Sequence, residues 1–139
     1  MRLLPALFLL TLLTACASPL PRHDPQQAWI DLYTTADNLL MAQRLDDKRW
    51  GDGRYFQVSP GAHELEVNLR FEVAGGGALS NVSEPVQMTC ELRIRYDNFV
   101  AGKRYRLEAR PMIMKAQAWL YDDQRNVLAR GKVLRCGTF

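Results

Sequence analysis

Glu64–Val73 reads ELEVNLRFEV and Val86–Tyr96 reads VQMTCELRIRY, and these two stretches decide the fold. In the first, Leu65, Val67, Leu69, Phe71 and Val73 alternate with Glu64, Glu66, Asn68, Arg70 and Glu72. In the second, Val86, Met88, Cys90, Leu92, Ile94 and Tyr96 alternate with Gln87, Thr89, Glu91, Arg93 and Arg95. A period of two puts one set of side chains on each face of an extended chain, so both stretches predict long strands with one face buried. Cys90 falls on the apolar face.

Working outward, Tyr105, Leu107 and Ala109 interleave with Arg104, Arg106, Glu108 and Arg110 as a third strand. A hairpin with the preceding strand is expected, with Phe99 to Gly102 as its loop. Its register sets Arg93 opposite Glu108 and Glu91 opposite Arg110. Further strands are expected at 28–33, 54–58, 116–121 and 127–136, the last two joined by the polar turn Asp122 to Asn126. Thr35 to Leu45 is ambiguous: Thr35 and Asp37 suit a helix cap, while the apolar residues also fit a strand, which is favoured. Gly75, Gly76 and Gly77 read as a loop tip. The expectation is an all-β fold, an antiparallel β-sandwich or small open barrel of about seven to eight strands with room for one short helix.

The chain begins MRLLPALFLLTLLTAC: a basic Arg2, an apolar run from Leu3 to Leu13, then small residues before Cys16. That is the layout of a secretory signal. The apolar run is about half the roughly 20 residues a membrane-spanning helix requires. Leu13, Thr14, Ala15 and Cys16 resemble the bacterial lipobox, the alternative being an ordinary signal peptide that ends near a cysteine. The resemblance implies cleavage after residue 15 and acylation of Cys16. It also implies retention at the outer membrane, because Ala17 and Ser18 rather than Asp follow the cysteine; a periplasm-facing domain is the expected orientation, which these residues do not themselves decide. Residues 16–27, with three prolines and mostly polar side chains after the cysteine, are expected to form an extended tether. Residues 28–139 remain for a single domain.

An exported chain meets an oxidising compartment, which favours a disulfide between Cys90 and Cys136 over two buried thiols. The 18 basic and 15 acidic residues leave too small an excess for nucleic-acid binding. No nucleophile elbow, phosphate-binding glycine loop, His-Glu-x-x-His pair or cysteine-pair zinc pattern occurs. Neither His23 nor His63 has a cysteine or histidine at ligand spacing. Asp46, Asp47 and Asp52 with Gly51 and Gly53 lack the alternating carboxylates of a calcium loop and read as turns. No enzyme activity, metal or cofactor is expected.

Val58-Ser-Pro-Gly-Ala-His63, with a strand departing at once, is similar to the Pro-Gly-x-His strand entry of PEGA-type domains and of small proteobacterial envelope lipoproteins. Ala101-Gly-Lys-Arg-Tyr-Arg106 resembles a later strand start in the same proteins. What the resemblance implies is a small extracytoplasmic β-sandwich with no catalytic residues, in which His63 is structural.

Two surfaces stand out as candidates for binding. Arg93, Arg95, Arg104, Arg106 and Arg110 form an expected basic outward face, suited to bidentate contacts with anionic groups if it is not simply a solvated face offset by Glu91 and Glu108. Met112, Ile113 and Met114, following Pro111, cannot all point inward from one strand and suit an adaptable protein contact. The functional expectation is a lipid-anchored, non-catalytic binding or structural module of the cell envelope that docks a protein partner. The alternative is a binder of lipopolysaccharide or peptidoglycan through the arginine face. Replacing Cys16 by alanine is expected to abolish acylation and release the protein from the membrane fraction, read by the intact mass of its N-terminus and by fractionation.

Overall fold

The computed structural model describes residues 18–74 and 84–139, so Cys16, the signal segment and the Gly75–Gly77 tip lie outside the described residues. Ten strands follow one another: β1 (Ala28–Tyr33), β2 (Leu39–Leu45), β3 (Lys48–Arg49), β4 (Tyr55–Val58), β5 (Gly61–Val73), β6 (Val86–Phe99), β7 (Arg104–Met112), β8 (Lys115–Tyr121), β9 (Val127–Arg130) and β10 (Lys132–Gly137). They form two five-stranded sheets: a front sheet in the order β4-β1-β7-β8-β9 and a back sheet in the order β10-β6-β5-β2-β3. The fold is a β-sandwich. Among the described residues there is no helix.

The alternation in β5 and β6 directs Leu65, Val67, Leu69, Phe71, Met88, Cys90, Leu92 and Ile94 onto the inner face of the back sheet. Ile30, Phe56, Tyr105, Leu107 and Leu120 meet them from the front sheet, with Ala109, Ala116 and Ala118 as the small partners. Two antiparallel strands of this length, sharing one apolar face, bury it only by acquiring a second layer. β5 and β6 pair from Gly61 opposite Phe99 to Val73 opposite Val86. Cys90 lies directly opposite Cys136 on β10, and the two form a disulfide with Cα atoms 4.1 Å apart.

Three expectations are revised, and the ambiguity at Thr35–Leu45 is resolved toward the favoured strand. The β6–β7 hairpin does not form: β6 is flanked on both sides, by β5 and β10, so the chain crosses to the other sheet through Val100–Lys103. Within the front sheet, β1 and β7 run parallel, an exception to the otherwise antiparallel pairing. Ambiguous Thr35–Leu45 resolves into a turn and a strand. The Asn38 N–H donates to the Thr35 carbonyl at 3.0 Å, closing one turn, after which Leu40 and Ala42 point inward and Leu39 outward. The expected strand at 127–136 is divided at Gly131, where the chain passes from the front sheet to the back sheet.

The segment before β1 is also more ordered than a tether. The Ser18 carbonyl accepts a hydrogen bond from Arg54 Nη1 at 2.8 Å, and the Asp24 N–H donates to Gln57 Oε1 at 2.8 Å. The Gln27 carbonyl accepts from the Gly102 N–H at 2.9 Å and from His23 Nε2 at 2.6 Å. Beneath this strap lies Trp29, which faces outward yet is only 1% exposed, stacked on Tyr55 with ring centroids 4.3 Å apart. A large outward ring needs such a cover, and the polar segment supplies it.

The crossover at Gly131 requires a missing side chain. A Cβ there would lie 2.9 Å from the Ala118 Cβ and 3.3 Å from the Ala118 carbonyl oxygen, neither of which can swing aside. Gly131→Ala is therefore expected to destabilise the protein by about 1–3 kcal/mol, the usual cost of overpacking, seen as a lower midpoint in chemical denaturation.

Candidate functional site

The five arginines expected to form one face lie on two sheets with opposite environments. On the outer face of the back sheet, Arg93 Nη2 donates to Glu66 Oε1 at 2.8 Å and Arg93 Nε lies 2.7 Å from Glu64 Oε1. Arg95 Nε donates to Glu64 Oε2 at 2.6 Å, and Arg135 on β10 donates to Glu91 at 2.9 Å. These pairs follow from register, since Glu66 is opposite Arg93 and Glu64 opposite Arg95. Such exposed ladders add little to stability because solvent screens them, but they occupy the guanidinium donors.

On the front sheet Arg104, Arg106 and Arg110 share the outer face of β7 with Glu108. Among the described residues none of these three arginines makes a side-chain hydrogen bond. Their nearest carboxylates are Asp31 at 3.8 Å from Arg104, and Glu108 at 3.7 Å from Arg106 and 3.9 Å from Arg110. Glu108 is only 2% exposed although it points outward. It also accepts a hydrogen bond from Arg125 Nη1 at 3.0 Å. Each guanidinium but that of Arg110 rests on an aromatic ring: Arg104 over Trp29 at 5.2 Å, Arg106 over Tyr33 at 5.2 Å and Arg125 over Tyr121 at 4.8 Å. With their faces held by rings, Arg104 and Arg106 keep N–H edges that are unbonded among the described residues.

Arg104, Arg106 and Arg125 line a cavity of about 230 Å³ with Asp31, Tyr105, Tyr121, Asp122 and Asp123. Two of its acids are engaged internally. Asp31 accepts from Trp29 Nε1 at 2.8 Å, and Asp122 accepts from the Gln124 and Asn126 amides at 2.9 and 2.8 Å. That Asp122 turn carries Arg125 at φ 62°, a left-handed conformation uncommon outside glycine and asparagine. Arg125 was not among the residues singled out from sequence, although the polar turn that presents it was. Neither Glu108 nor Trp29 was recognised as part of a site.

Met112, Ile113 and Met114 form the tip of the β7–β8 hairpin, with Met112 paired to Lys115. They are 48%, 88% and 53% exposed. Ile113 sits at φ 54°, where a two-residue hairpin turn normally places glycine. A β-branched residue there is a backbone outlier, of the kind that gathers at functional positions.

His63 serves as a brace between two turns. Its Nδ1 donates to Asp46 Oδ2 at 2.5 Å, while Nε2 lies 2.7 Å from the Ser59 carbonyl and 3.1 Å from the Ser59 hydroxyl. The order Ser-His-Asp is that of an acyl-transfer triad, but here Nε2 faces a carbonyl oxygen more closely than the hydroxyl it would have to deprotonate. Asp46 and Asp47, at φ 49° and 64°, make the two-residue β2–β3 turn. Among the described residues no group of three metal-ligating side chains comes together.

No protein-family model, curated protein or solved structure matches the chain. The site is therefore read from its own geometry.

The acidic turns make stability depend on pH. Burial acts to raise the Asp46 carboxyl but is outweighed by the Glu64 amide and by the hydrogen bond and charge of His63, so its pKa falls below the ordinary value. Hydrogen bonds from Arg54 bring Asp52 down to about 2. A carboxylate whose folded pKa lies below its unfolded one stabilises above the unfolded value, and that contribution is lost as pH falls through the folded value. Stability is expected to decline from about pH 4 downward. Asp46→Asn, which tolerates the left-handed turn, should flatten part of this acid limb in denaturation midpoints measured against pH.

Proposed function

We propose that the protein is a lipid-anchored, non-catalytic module of the cell envelope whose front sheet holds an anionic envelope polymer. One observation carries the reading. Arg104 and Arg106 make no side-chain hydrogen bond among the described residues and are steadied by aromatic rings beside a cavity, whereas Arg93, Arg95 and Arg135 are engaged by carboxylates. Guanidinium groups held in this way need little further ordering to grip phosphate or carboxylate oxygens.

Four guanidinium groups, of Arg104, Arg106, Arg110 and Arg125, lie among the carboxylates of Asp31, Glu108, Asp122 and Asp123, so the face is balanced in charge and offers an anion directed donors, those of Arg104, Arg106 and Arg110, rather than an excess of charge. Glu108 acts as a buried anchor that spaces the arginines. Anionic groups of lipopolysaccharide or peptidoglycan fit this chemistry. The lipid anchor at Cys16 rests on the lipobox and the length of the apolar run before it. Docking of a protein partner through Met112, Ile113 and Met114 is the competing reading, supported by the exposure of that tip.

Salt separates the two. Raising ionic strength from about 0.1 M to about 1 M shortens the Debye length from ~10 Å to ~3 Å. Binding to isolated peptidoglycan or to lipopolysaccharide should weaken at least tenfold over that range. It should also collapse in the Arg104→Glu, Arg106→Glu double variant and persist in Arg95→Gln. Polymer binding that survives both high salt and the double variant overturns the proposal.

A further inference from the structure

We propose that the β7–β8 hairpin tip is a second membrane contact, in which Met112, Ile113 and Met114 enter the lipid surface that the Cys16 acyl chains occupy. This rests on the lipid-anchor reading and adds a fixed orientation to it.

Strand directions define two ends of the sandwich. β6 ends and β7 begins at one end, which also holds the start of β1 and the 122–126 turn; β7 ends, and β6 begins, at the other. Of the ten exposed large apolar side chains among the described residues, six lie toward this second end: Leu39, Val86, Met112, Ile113, Met114 and Phe139. The tip is flanked by cations, Arg110 before it and Lys115 after it, both exposed. Apolar side chains inside a cationic collar match a bilayer, whose acyl region lies beneath phosphate-bearing headgroups.

The N-terminal strap points the same way. From Gln27, held by Gly102 at the first end, it passes Asp24, bonded to Gln57, and reaches Ser18, bonded to Arg54. β4 is antiparallel to β1, so going from Gln57 to Arg54 leads toward the second end. One residue, Ala17, separates Ser18 from Cys16, a step of at most about 7 Å. The acyl chains would thus attach close to the folded domain, from a point level with Leu107 in the middle of β7 and in the direction of the tip. Insertion then becomes an intramolecular step, for which a small apolar surface suffices.

The test uses the full-length protein carrying Ile113→Cys, labelled with an environment-sensitive fluorophore and reconstituted into phosphatidylethanolamine–phosphatidylglycerol vesicles. A label at Gln124→Cys, at the opposite end, serves as reference. Doxyl-labelled lipid should quench the label at 113 and iodide should not, with the reverse at 124. Equal iodide quenching at both positions on vesicle-bound protein overturns the proposal. So does a label at 113 shielded only in native envelope membranes and not in pure lipid, which would assign the tip to a protein socket. Intact mass of the N-terminus reports acylation separately: an unacylated protein whose label is still reached by doxyl lipid loses the anchor and keeps the tip contact.

Discussion

β6 has a partner along both edges, and the separation of the two sheets follows from that. β5 pairs with it along nearly its whole length, and β10 is fastened to its other side by the Cys90–Cys136 bond. The disulfide closes a loop with a sequence separation of 46, worth about 4 kcal/mol in the chain-entropy account. With no edge open, the chain leaving Phe99 must cross to the opposite sheet. Tyr105 secures the corner, its hydroxyl accepting the Val100 N–H at 2.9 Å. The arginines before the corner therefore share a face with the acids of β5, and those after it do not.

Two kinds of arginine result, and their electrostatics differ for a structural reason. Across β5 and β6 the alternating acids and bases fall opposite one another, so charges meet at 2.6–2.8 Å and cancel in place. Along β7 the neighbours are aromatic rings, and one carboxylate, Glu108, faces three guanidinium groups. A buried carboxylate so placed is costly to desolvate unless bonded, and Arg125 provides the bond at 3.0 Å from a strained turn position. The remaining arginines stay 3.7–3.9 Å from their nearest carboxylates, beyond direct hydrogen-bond distance. Their side-chain donors are unbonded among the described residues.

Much of this was legible in sequence because it depends on local periodicity. Period-two alternation marks the inward residues of β5 to β7, and the Pro60-Gly61 strand entry coincides with the start of β5, with Gly61 at φ 111°. The cysteine pairing followed from compartment and count. What escaped were the facts that depend on which strands are neighbours. Nothing local in Val86–Phe99 says that both its edges are taken, so the next strand was placed beside it and the arginines were pooled. Ordered packing of 18–27 escaped for a similar reason: its partners, Arg54, Gln57 and Gly102, are remote in sequence, and a proline-rich polar composition gives no sign of them. Glu108 was visible on the face of Arg106 and Arg110, but its burial depends on the 122–126 turn folding over β7.

The crossing also sets the distance between the two surfaces. Arg106 beside the cavity and Ile113 at the tip are seven residues apart along one strand, roughly 20–24 Å at the usual rise. A rigid two-layer sandwich keeps that spacing, because strands sharing a packed core cannot slide past one another without exposing it. If the tip rests on lipid, the cavity stands well above the headgroups, beyond about two Debye lengths at physiological salt. Headgroup phosphates of the same membrane are then out of reach of Arg104 and Arg106. On the proposed reading, the anion they suit is one carried by a polymer that itself stands off the bilayer, which among envelope polymers favours peptidoglycan carboxylates over lipid-borne phosphate.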